Sequence, residues 1–414
     1  MTETVAILVG GGPAPGINGV ISAATIRCLS DGRQVLGIQQ GFKHIMQGDV
    51  SKVLPLTLDQ VDRIHFQGGS LLKTARANPT KNPSHLSQVL KSLQQLGVMG
   101  LITIGGDDTC FSALSLERAA EGRLRVVHVP KTIDNDLDLP EGVPTFGFQT
   151  ARHVGTDAVK SILEDARTTA HWFFVVAMGR KAGHLALAIG KAAGATLTLI
   201  PEEFPTRPVK LTTIADILAG AIIKRLSQGR EDGVAVLAEG MAEIMDPEDL
   251  TALASVSRDE HGHVELADLD LGRVMKEEVL KRLEPYGLSP TIRLKDIGFE
   301  LRCTDPIPFD MEYCRDLGCC AAEYLMGGGT GAMVSLVNGQ FLPMPFSTIV
   351  DPVTQRTKVR MVDIRSNPYR IARQYMTRLD RFDLEESVRL ARCAAVTKLT
   401  PGAFRQRFES VIGT

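Results

Sequence analysis

The sequence predicts an α/β fold made of two Rossmann-like, three-layer domains with mainly parallel sheets. Short apolar segments alternate with helical segments along most of the chain, as in parallel sheets covered by helices. Glycine-rich or acidic turns follow several apolar segments, and 414 residues suffice for two such domains.

The first series of alternating elements ends near residue 145. Its predicted elements are strand 5–9, helix 17–29, strand 34–38, helix 86–96, strand 101–104, a helix capped by Thr109 that ends near residue 120, and strand 126–129.

The alternation then recurs. The predicted elements are helix 149–166, strand 172–177, helix 183–193, strand 197–200, helix 211–227 and strand 234–238.

These two series give the domain boundaries that we expect. Residues 1–145 with about 301–355 form one domain, and residues 146–300 with part of the C-terminal tail form the other. Residues from about 241 to 290 are more polar and are predicted to be an insertion, and those from about 365 to 414 a helical extension. The basic residues Arg356, Lys358 and Arg360 are expected on a solvent-exposed edge strand.

Composition excludes several classes of protein. A formal net charge of -2 argues against nucleic-acid binding, and 44% hydrophobic residues argue against a disordered chain. Seven cysteines without a Cys-x-x-Cys pair predict neither a disulfide framework nor a zinc site, which favours the cytoplasm. Residues 4–26 are uncharged but contain glycines and prolines, so we predict a strand, a turn and a helix, and no membrane partner.

A glycine loop at residues 10–16 joins the first strand to the first helix. Backbone amides at a helix N-terminus suit phosphate, but an ordinary tight turn explains this loop equally well. No Gly-Lys-Ser/Thr closes it, and Gly16 falls one position late for a dinucleotide-binding loop. A Rossmann-type dehydrogenase, which also needs a ribose-binding acid, is therefore disfavoured.

Two later turns carry acids. Gly105-Gly106-Asp107-Asp108 suits Mg²⁺, although acids are also common at helix N-termini. The turn at 131–136, Lys-Thr-Ile-Asp-Asn-Asp, offers a base for a hydroxyl group, although Asp and Asn are common in solvated turns. Because parallel strands end at one edge of their sheet, the three turns are expected to converge.

Together these residues resemble the phosphofructokinase family. The matching segments are Gly-Gly-x-Ala-Pro-Gly-x-Asn at 11–18, Gly-Gly-Ser-x-Leu-x-x-x-Arg at 68–76, Gly-Gly-Asp at 105–107, Thr-Ile-Asp-Asn-Asp at 132–136 and Met-Gly-Arg at 178–180. The resemblance spans at least residues 5–302, and the tail at 369–379 resembles the pyrophosphate-using branch. Pro13 departs from the family's usual Asp, and Phe299 from its common His or Tyr.

The resemblance implies a reversible, Mg²⁺-dependent transfer of a phosphoryl group from pyrophosphate to the 1-hydroxyl of fructose 6-phosphate, in a cleft between the domains. It implies catalytic roles for Asp134, Lys131 and Asp136, and a Mg²⁺ ligand in Asp107. The implied donor contacts are Gly11, Arg76, Asp108 and Lys131. The implied sugar-phosphate contacts are Thr132, Asp134, Met178, Gly179, Arg180, Glu239, Arg293 and Arg302.

The resemblance also implies which donor is used. ATP-using members usually carry glycine in place of Asp108 and Lys131, so these two residues are expected to select pyrophosphate. The alternatives are an ATP-dependent enzyme and a non-catalytic, regulatory paralogue. A homodimer or homotetramer is expected, because a neighbouring subunit commonly supplies arginines to the family's sugar site.

Overall fold

The computed structural model describes residues 3–252, 270–351 and 356–412. The described strands are β1 Thr4–Val9, β2 Gln34–Ile38, β3 Val53–Pro55, β4 Val98–Gly105, β5 Arg125–Pro130, β6 Trp172–Ala177, β7 Leu197–Leu199, β8 Gly233–Ala238, β9 Ile292–Ile297, β10 Ala332–Val337 and β11 Gln340–Pro345.

Helices fill most connections between these strands. They are α1 Ile17–Ser30, α2 Leu58–Val61, α3 Pro83–Gln95, α4 Asp107–Ala120, α5 Phe148–Thr169, α6 His184–Ala193, α7 Leu211–Ser227, α8 Met241–Ile244, α9 Pro247–Ala252, α10 Leu271–Leu283, α11 Phe299–Arg302, α12 Pro308–Met326, α13 Phe346–Ile349, α14 Asn367–Tyr375, α15 Arg381–Glu385, α16 Ser387–Thr397 and α17 Pro401–Ile412. The predicted α/β class with mostly parallel sheets is confirmed.

The chain divides into two compact units. The first comprises Met1–Ala151 and Phe299–Arg360, and the second comprises Arg152–Gly298 and Met361–Thr414. Part of the predicted insertion, residues 253–269, lies outside the described residues. The part that follows it contains α10, which packs on α7, β6 and β9 of the second unit.

The first unit is a three-layer structure around a seven-stranded sheet of order β11-β10-β5-β4-β1-β2-β3. Alternate residues of β1 point to opposite faces. Val5, Ile7 and Val9 pack with residues of α1 and α12, whereas Ala6 and Leu8 pack with residues of α3 and α4. Both faces are therefore covered, which explains why β1 is buried along its whole length.

The order of these strands creates a crevice. From β1 the chain adds β2 on one side, and then returns to add β4 on the other. Ligands of open α/β sheets bind where the order reverses in this way, outside the carboxyl ends of the strands. The glycine loop and the Asp107 turn follow the two strands that flank this point.

The second unit holds an all-parallel sheet of order β7-β8-β6-β9. β8 is buried throughout, but β9 is an edge strand whose middle residues are exposed. The C-terminal helices belong to this unit, and a buried ion pair between Arg378 and Glu203 fastens the tail to it.

Two local predictions were wrong. α4 begins at Asp107 with Gly106 as its N-cap, so Thr109 lies inside the helix. Residues 356–362 form two isolated bridges, Val350 with Thr357 and Leu137 with Val359, rather than a strand. Among the described helices, none is long and apolar enough to cross a membrane.

Candidate active site

Asn18 joins the first two sequence motifs. From the first turn of α1, its side-chain amide donates to the carbonyls of Gln67 and Gly68, each at 3.2 Å, and its Oδ1 accepts from the Leu71 amide at 2.8 Å. The Gly11 amide donates to the Ala75 carbonyl at 2.9 Å. These hydrogen bonds place Ala75 beside the glycine loop. The next residue, Arg76, is exposed and therefore lies next to that loop as well.

The packing of Thr109 explains why positions 10 and 105 are glycines. A Cβ on either Gly10 or Gly105 would overlap its side chain, so both glycines allow α4 to approach the ends of β1 and β4. Gly106 has no comparable neighbour, since the nearest atom to its Cβ position is the Lys131 carbonyl oxygen at 3.6 Å. Of these three glycines, Gly106 leaves backbone open for a ligand.

Asp107 and Asp108 occupy the first turn of α4. The Asp107 carboxylate accepts the Asp108 amide at 2.9 Å. Asp107 is half-buried, whereas Asp108 is exposed at the edge of the crevice. Both carboxylates benefit from the positive end of the helix dipole.

Lys131 lies at the centre of the site in the first unit. It is only 5% exposed, and its ammonium group donates to the Gly12 carbonyl. Its backbone amide donates to the Gly105 carbonyl at 2.8 Å. The pKa of Lys131 is lowered to about 8, mainly by burial and also by the positive charges of Arg302 and Arg76, against the attraction of nearby carboxylates.

The loop with Asp134 and Asp136 is held by hydrogen bonds. The Thr132 hydroxyl accepts from the Asp134 amide at 3.0 Å, and the Thr145 hydroxyl donates to the Thr132 carbonyl at 2.7 Å. Asn135, between the two acids, adopts a left-handed φ of 56°. This conformation is uncommon for residues other than glycine, so the loop is held in a specific shape.

Arg360 contacts this loop from a distant part of the sequence. Its guanidinium donates to the carbonyls of Asn135 at 3.1 Å and Val143 at 2.8 Å, and to the side-chain oxygen of Asn135. The prediction that Arg360 is solvated on an edge strand is therefore wrong. The surrounding sequence pattern of alternating basic residues gave no sign of these contacts.

Beneath the loops, His128 joins β4 to β5. Its Nδ1 lies 2.8 Å from the Thr103 hydroxyl, and its Nε2 lies 3.1 Å from the Gly105 carbonyl oxygen. Burial lowers the pKa of His128 to about 3. The imidazole is therefore neutral, with Nε2 donating to Gly105 and Nδ1 accepting from Thr103.

Arg302, on α11, belongs to the first unit. A Cβ on Gly12 would overlap its guanidinium, which also lies 5.6 Å from the centre of the Phe299 ring. The structure therefore brings Arg302 together with Gly12 and Lys131.

In the second unit, the loops after β6 and β8 meet. The Gly179 amide donates to Glu239 at 3.2 Å, and the Gly240 amide donates to the Gly179 carbonyl at 3.1 Å. Arg180 pairs with Glu243 at 2.7 Å, and its side chain is 74% exposed. Since exposed ion pairs contribute only about 0–1 kcal/mol, an anionic ligand can compete for Arg180.

The structure does not bring Arg293 to these two loops. Arg293 pairs with Phe173 near the amino ends of β9 and β6, whereas Met178 and Glu239 follow the carboxyl ends of their strands. Arg293 instead lines a cavity of about 580 Å³ with His171 and Lys276.

The carboxylates of the site can be compared with the ligands that Mg²⁺ prefers. Among the described residues, no group of three or more His, Cys, Asp or Glu could hold a metal ion. Mg²⁺ needs no such cage, since it is commonly held by one or two carboxylates together with water and substrate phosphates. Asp107, at the carboxyl end of β4, supplies a donor of the required kind.

Comparison with known proteins identifies relatives of the chain. The phosphofructokinase family model matches residues 4–325. A pyrophosphate–fructose 6-phosphate 1-phosphotransferase of Thermotoga maritima is 49% identical over 413 residues, with 99% of this chain and 98% of the relative covered. A protein of the same name from Naegleria fowleri is 47% identical over 418 residues, with 99% and 96% covered.

Solved structures agree on the fold. The crystal structure of a pyrophosphate-dependent phosphofructokinase from Marinobacter aquaeolei matches with a TM-score of 0.68 at 16% identity, over 90% of each chain.

Proposed function

The chain belongs to the phosphofructokinase family, and from that premise we propose that it transfers a phosphoryl group from pyrophosphate to the 1-hydroxyl of fructose 6-phosphate. The products are fructose 1,6-bisphosphate and phosphate. The reaction is reversible, because the donor and the product have comparable phosphoryl-transfer potential.

The main observation in favour of pyrophosphate as the donor is a buried lysine that lies against the glycine loop. The Nζ atom of Lys131 is 3.4 Å from the position of a Cβ on Gly11 and donates to the carbonyl of Gly12. A cation at this place supports binding of a compact, highly charged donor. Asp108, exposed at the edge of the same crevice, opposes the additional phosphate of a nucleotide by charge repulsion.

We assign the chemical step to residues of the first unit. Asp134 takes the proton of the sugar 1-hydroxyl, and Lys131 and Arg76 neutralise the charge of the transferring group and of pyrophosphate. Phosphoryl transfer depends mainly on positioning and charge neutralisation, which agrees with a site rich in fixed backbone and charged side chains. Asp107 would hold Mg²⁺, with Asp136 nearby, and the ion would supply further charge neutralisation to the phosphates.

We assign the sugar phosphate mainly to residues of the second unit, together with Thr132 and Arg302. The sugar-binding residues of the second unit are Met178, Gly179, Arg180 and Glu239. Arg293 lies away from these loops along its own strand. It can serve the reaction only by reaching the site of another copy, so we propose a homodimer or homotetramer.

We further propose that the protein works in the cytoplasm. All seven cysteines are free, and burial raises the pKa of several of their thiols, which keeps them protonated and unreactive.

A donor assay tests the proposal. Initial rates with fructose 6-phosphate and Mg²⁺ are measured with pyrophosphate and with ATP, and the reverse reaction with fructose 1,6-bisphosphate and phosphate. Turnover with ATP alone would reject the proposed donor, and no turnover in either direction would favour a non-catalytic paralogue. The double variant D108G/K131G should lose the preference for pyrophosphate, and an unchanged preference would show that other residues set it.

A further inference from the structure

We propose that Arg360 is a positioning residue of this reaction, which holds the Asp134–Asp136 loop in its reactive shape. The inference rests on the proposed role of that loop. Arg360 lies beyond residues 4–325, which the family model matches.

Arg360 donates hydrogen bonds to the loop from both its side chain and its backbone amide. Nε donates to the Asn135 carbonyl at 3.1 Å, and Nη2 donates to the Asn135 side chain. The Arg360 amide donates to the Asp136 carbonyl at 2.8 Å. An isolated antiparallel bridge between Val359 and Leu137 lies one residue further along each of these two segments.

A third acceptor ties the loop to the segment that follows it. Nη1 of Arg360 donates to the Val143 carbonyl at 2.8 Å, and the Thr145 amide donates to the Asn135 side chain at 3.0 Å. Arg360 thus fixes both ends of the excursion between Asn135 and Thr145.

The loop needs such a constraint because of its backbone conformation. Asn135 separates the proposed base, Asp134, from Asp136 with a φ of 56°. Asparagine adopts this left-handed conformation more readily than most residues, but the conformation still costs energy, and the hydrogen bonds from Arg360 and Thr145 to the Asn135 side chain stabilise it. A rotation at Asn135 would move the two neighbouring carboxylates relative to each other.

The geometry requires arginine in particular. A guanidinium presents several donors in a rigid plane and can therefore bind three oxygens at once, whereas a lysine ammonium acts as a single point of charge. Arg360 is half-buried, and the carboxylates of Asp138 and Asp136 attract its charge. Lysine at this position would keep the positive charge but lose most of the side-chain hydrogen bonds to Asn135 and Val143.

Kinetics of R360K and R360Q test the inference, with K358Q as the matched control. Lys358 lies two residues away and donates to the Thr348 carbonyl at 2.9 Å, outside the loop. We expect kcat of R360K and R360Q to fall by about 100-fold, since a displacement of about 1 Å costs roughly that factor. KM for pyrophosphate should stay within about twofold, because the proposed donor contacts Gly11, Arg76 and Asp108 lie outside this loop. K358Q should match the parent.

A double-mutant cycle separates positioning from general loss of structure. Because Arg360 acts through Asn135, the effects of R360Q and N135A on kcat should be far from multiplicative. An R360K variant with parental kcat, a change confined to KM, or multiplicative effects would overturn the inference. Failure of both R360K and R360Q to fold would also overturn it, since Arg360 would then serve folding. A parent protein without pyrophosphate-dependent activity would instead refute the proposed function.

Discussion

Affinity for pyrophosphate should fall as the pH rises through about 8, because Lys131 then loses its proton. Burial is the main cause of its lowered pKa, and the fall from 10.5 to about 8 corresponds to a penalty of about 3 kcal/mol on the charged form. The lysine is still protonated at neutral pH, where the donor can use its charge.

The size of the effect follows from this titration. Above about pH 8 the protonated fraction of Lys131 drops about tenfold per pH unit, and kcat/KM for pyrophosphate should follow it, since kcat/KM reports ionisations of the enzyme form that binds pyrophosphate. The assay is initial-rate kinetics at low pyrophosphate, saturating fructose 6-phosphate and fixed free Mg²⁺, between about pH 7 and 10.

Two variants identify the group that titrates. In K131M the fall in kcat/KM should disappear. In R302Q it should move to higher pH, because the charge of Arg302 lowers the pKa of Lys131. A flat profile in the parent, or an unchanged fall in K131M, would refute the argument and assign the titration to another group or to pyrophosphate itself.

Four further predictions concern the base, two buried groups and the assembly. D134N should lower kcat by about 10²–10⁴-fold while calorimetry still detects sugar-phosphate binding, and near-parental kcat would point to another base. Because the folded pKa of His128 is about 3, the unfolded chain binds one more proton between about pH 3 and 6.5, and the free energy of unfolding falls by up to about 1.4 kcal/mol per pH unit on acidification. Urea titrations of H128Q should show a shallower fall, and an identical slope would contradict this account. D310A, which removes the acceptor of the Thr150 amide and hydroxyl, should lower the free energy of unfolding by about 2–4 kcal/mol in urea titrations, and D310N by less because its amide keeps one acceptor oxygen, whereas a loss below about 1 kcal/mol in D310A would contradict this account. Mixing inactive D134N and R293A chains should restore activity at about one site in four if copies share sites, and no recovery would place Arg293 outside the site.

Much of the fold could be predicted because its causes are local. Apolar runs and their periodicity predicted β2 at 34–38, β6 at 172–177 and α7 at 211–227 with the bounds that the structure shows. Boundaries set by packing were missed. Helix α4 starts earlier than expected because Gly106 gives it an N-cap, whereas Thr109 is used to pack against glycines.

The turns of the candidate site were predictable, but their supports were not. Each turn follows its strand directly, so position along the sequence sufficed to find it. Arg360 is separated from Asn135 by 225 positions, and Asp310 from Thr150 by 160. No periodicity encodes contacts of such separation. Arg293 shows a related difficulty, since sequence order alone did not show at which end of its strand it lies.

The packing of Thr109 constrains which substitutions this chain can accept at two of its glycines. Shortening Thr109 to alanine would remove the two closest overlaps with a Cβ on Gly10 and leave a tight contact of 3.2 Å to the Cβ of residue 109. At Gly105 even the Cβ of that alanine would overlap. A side chain at position 10 therefore requires a smaller residue at position 109 first, whereas position 105 stays closed as long as residue 109 has a Cβ.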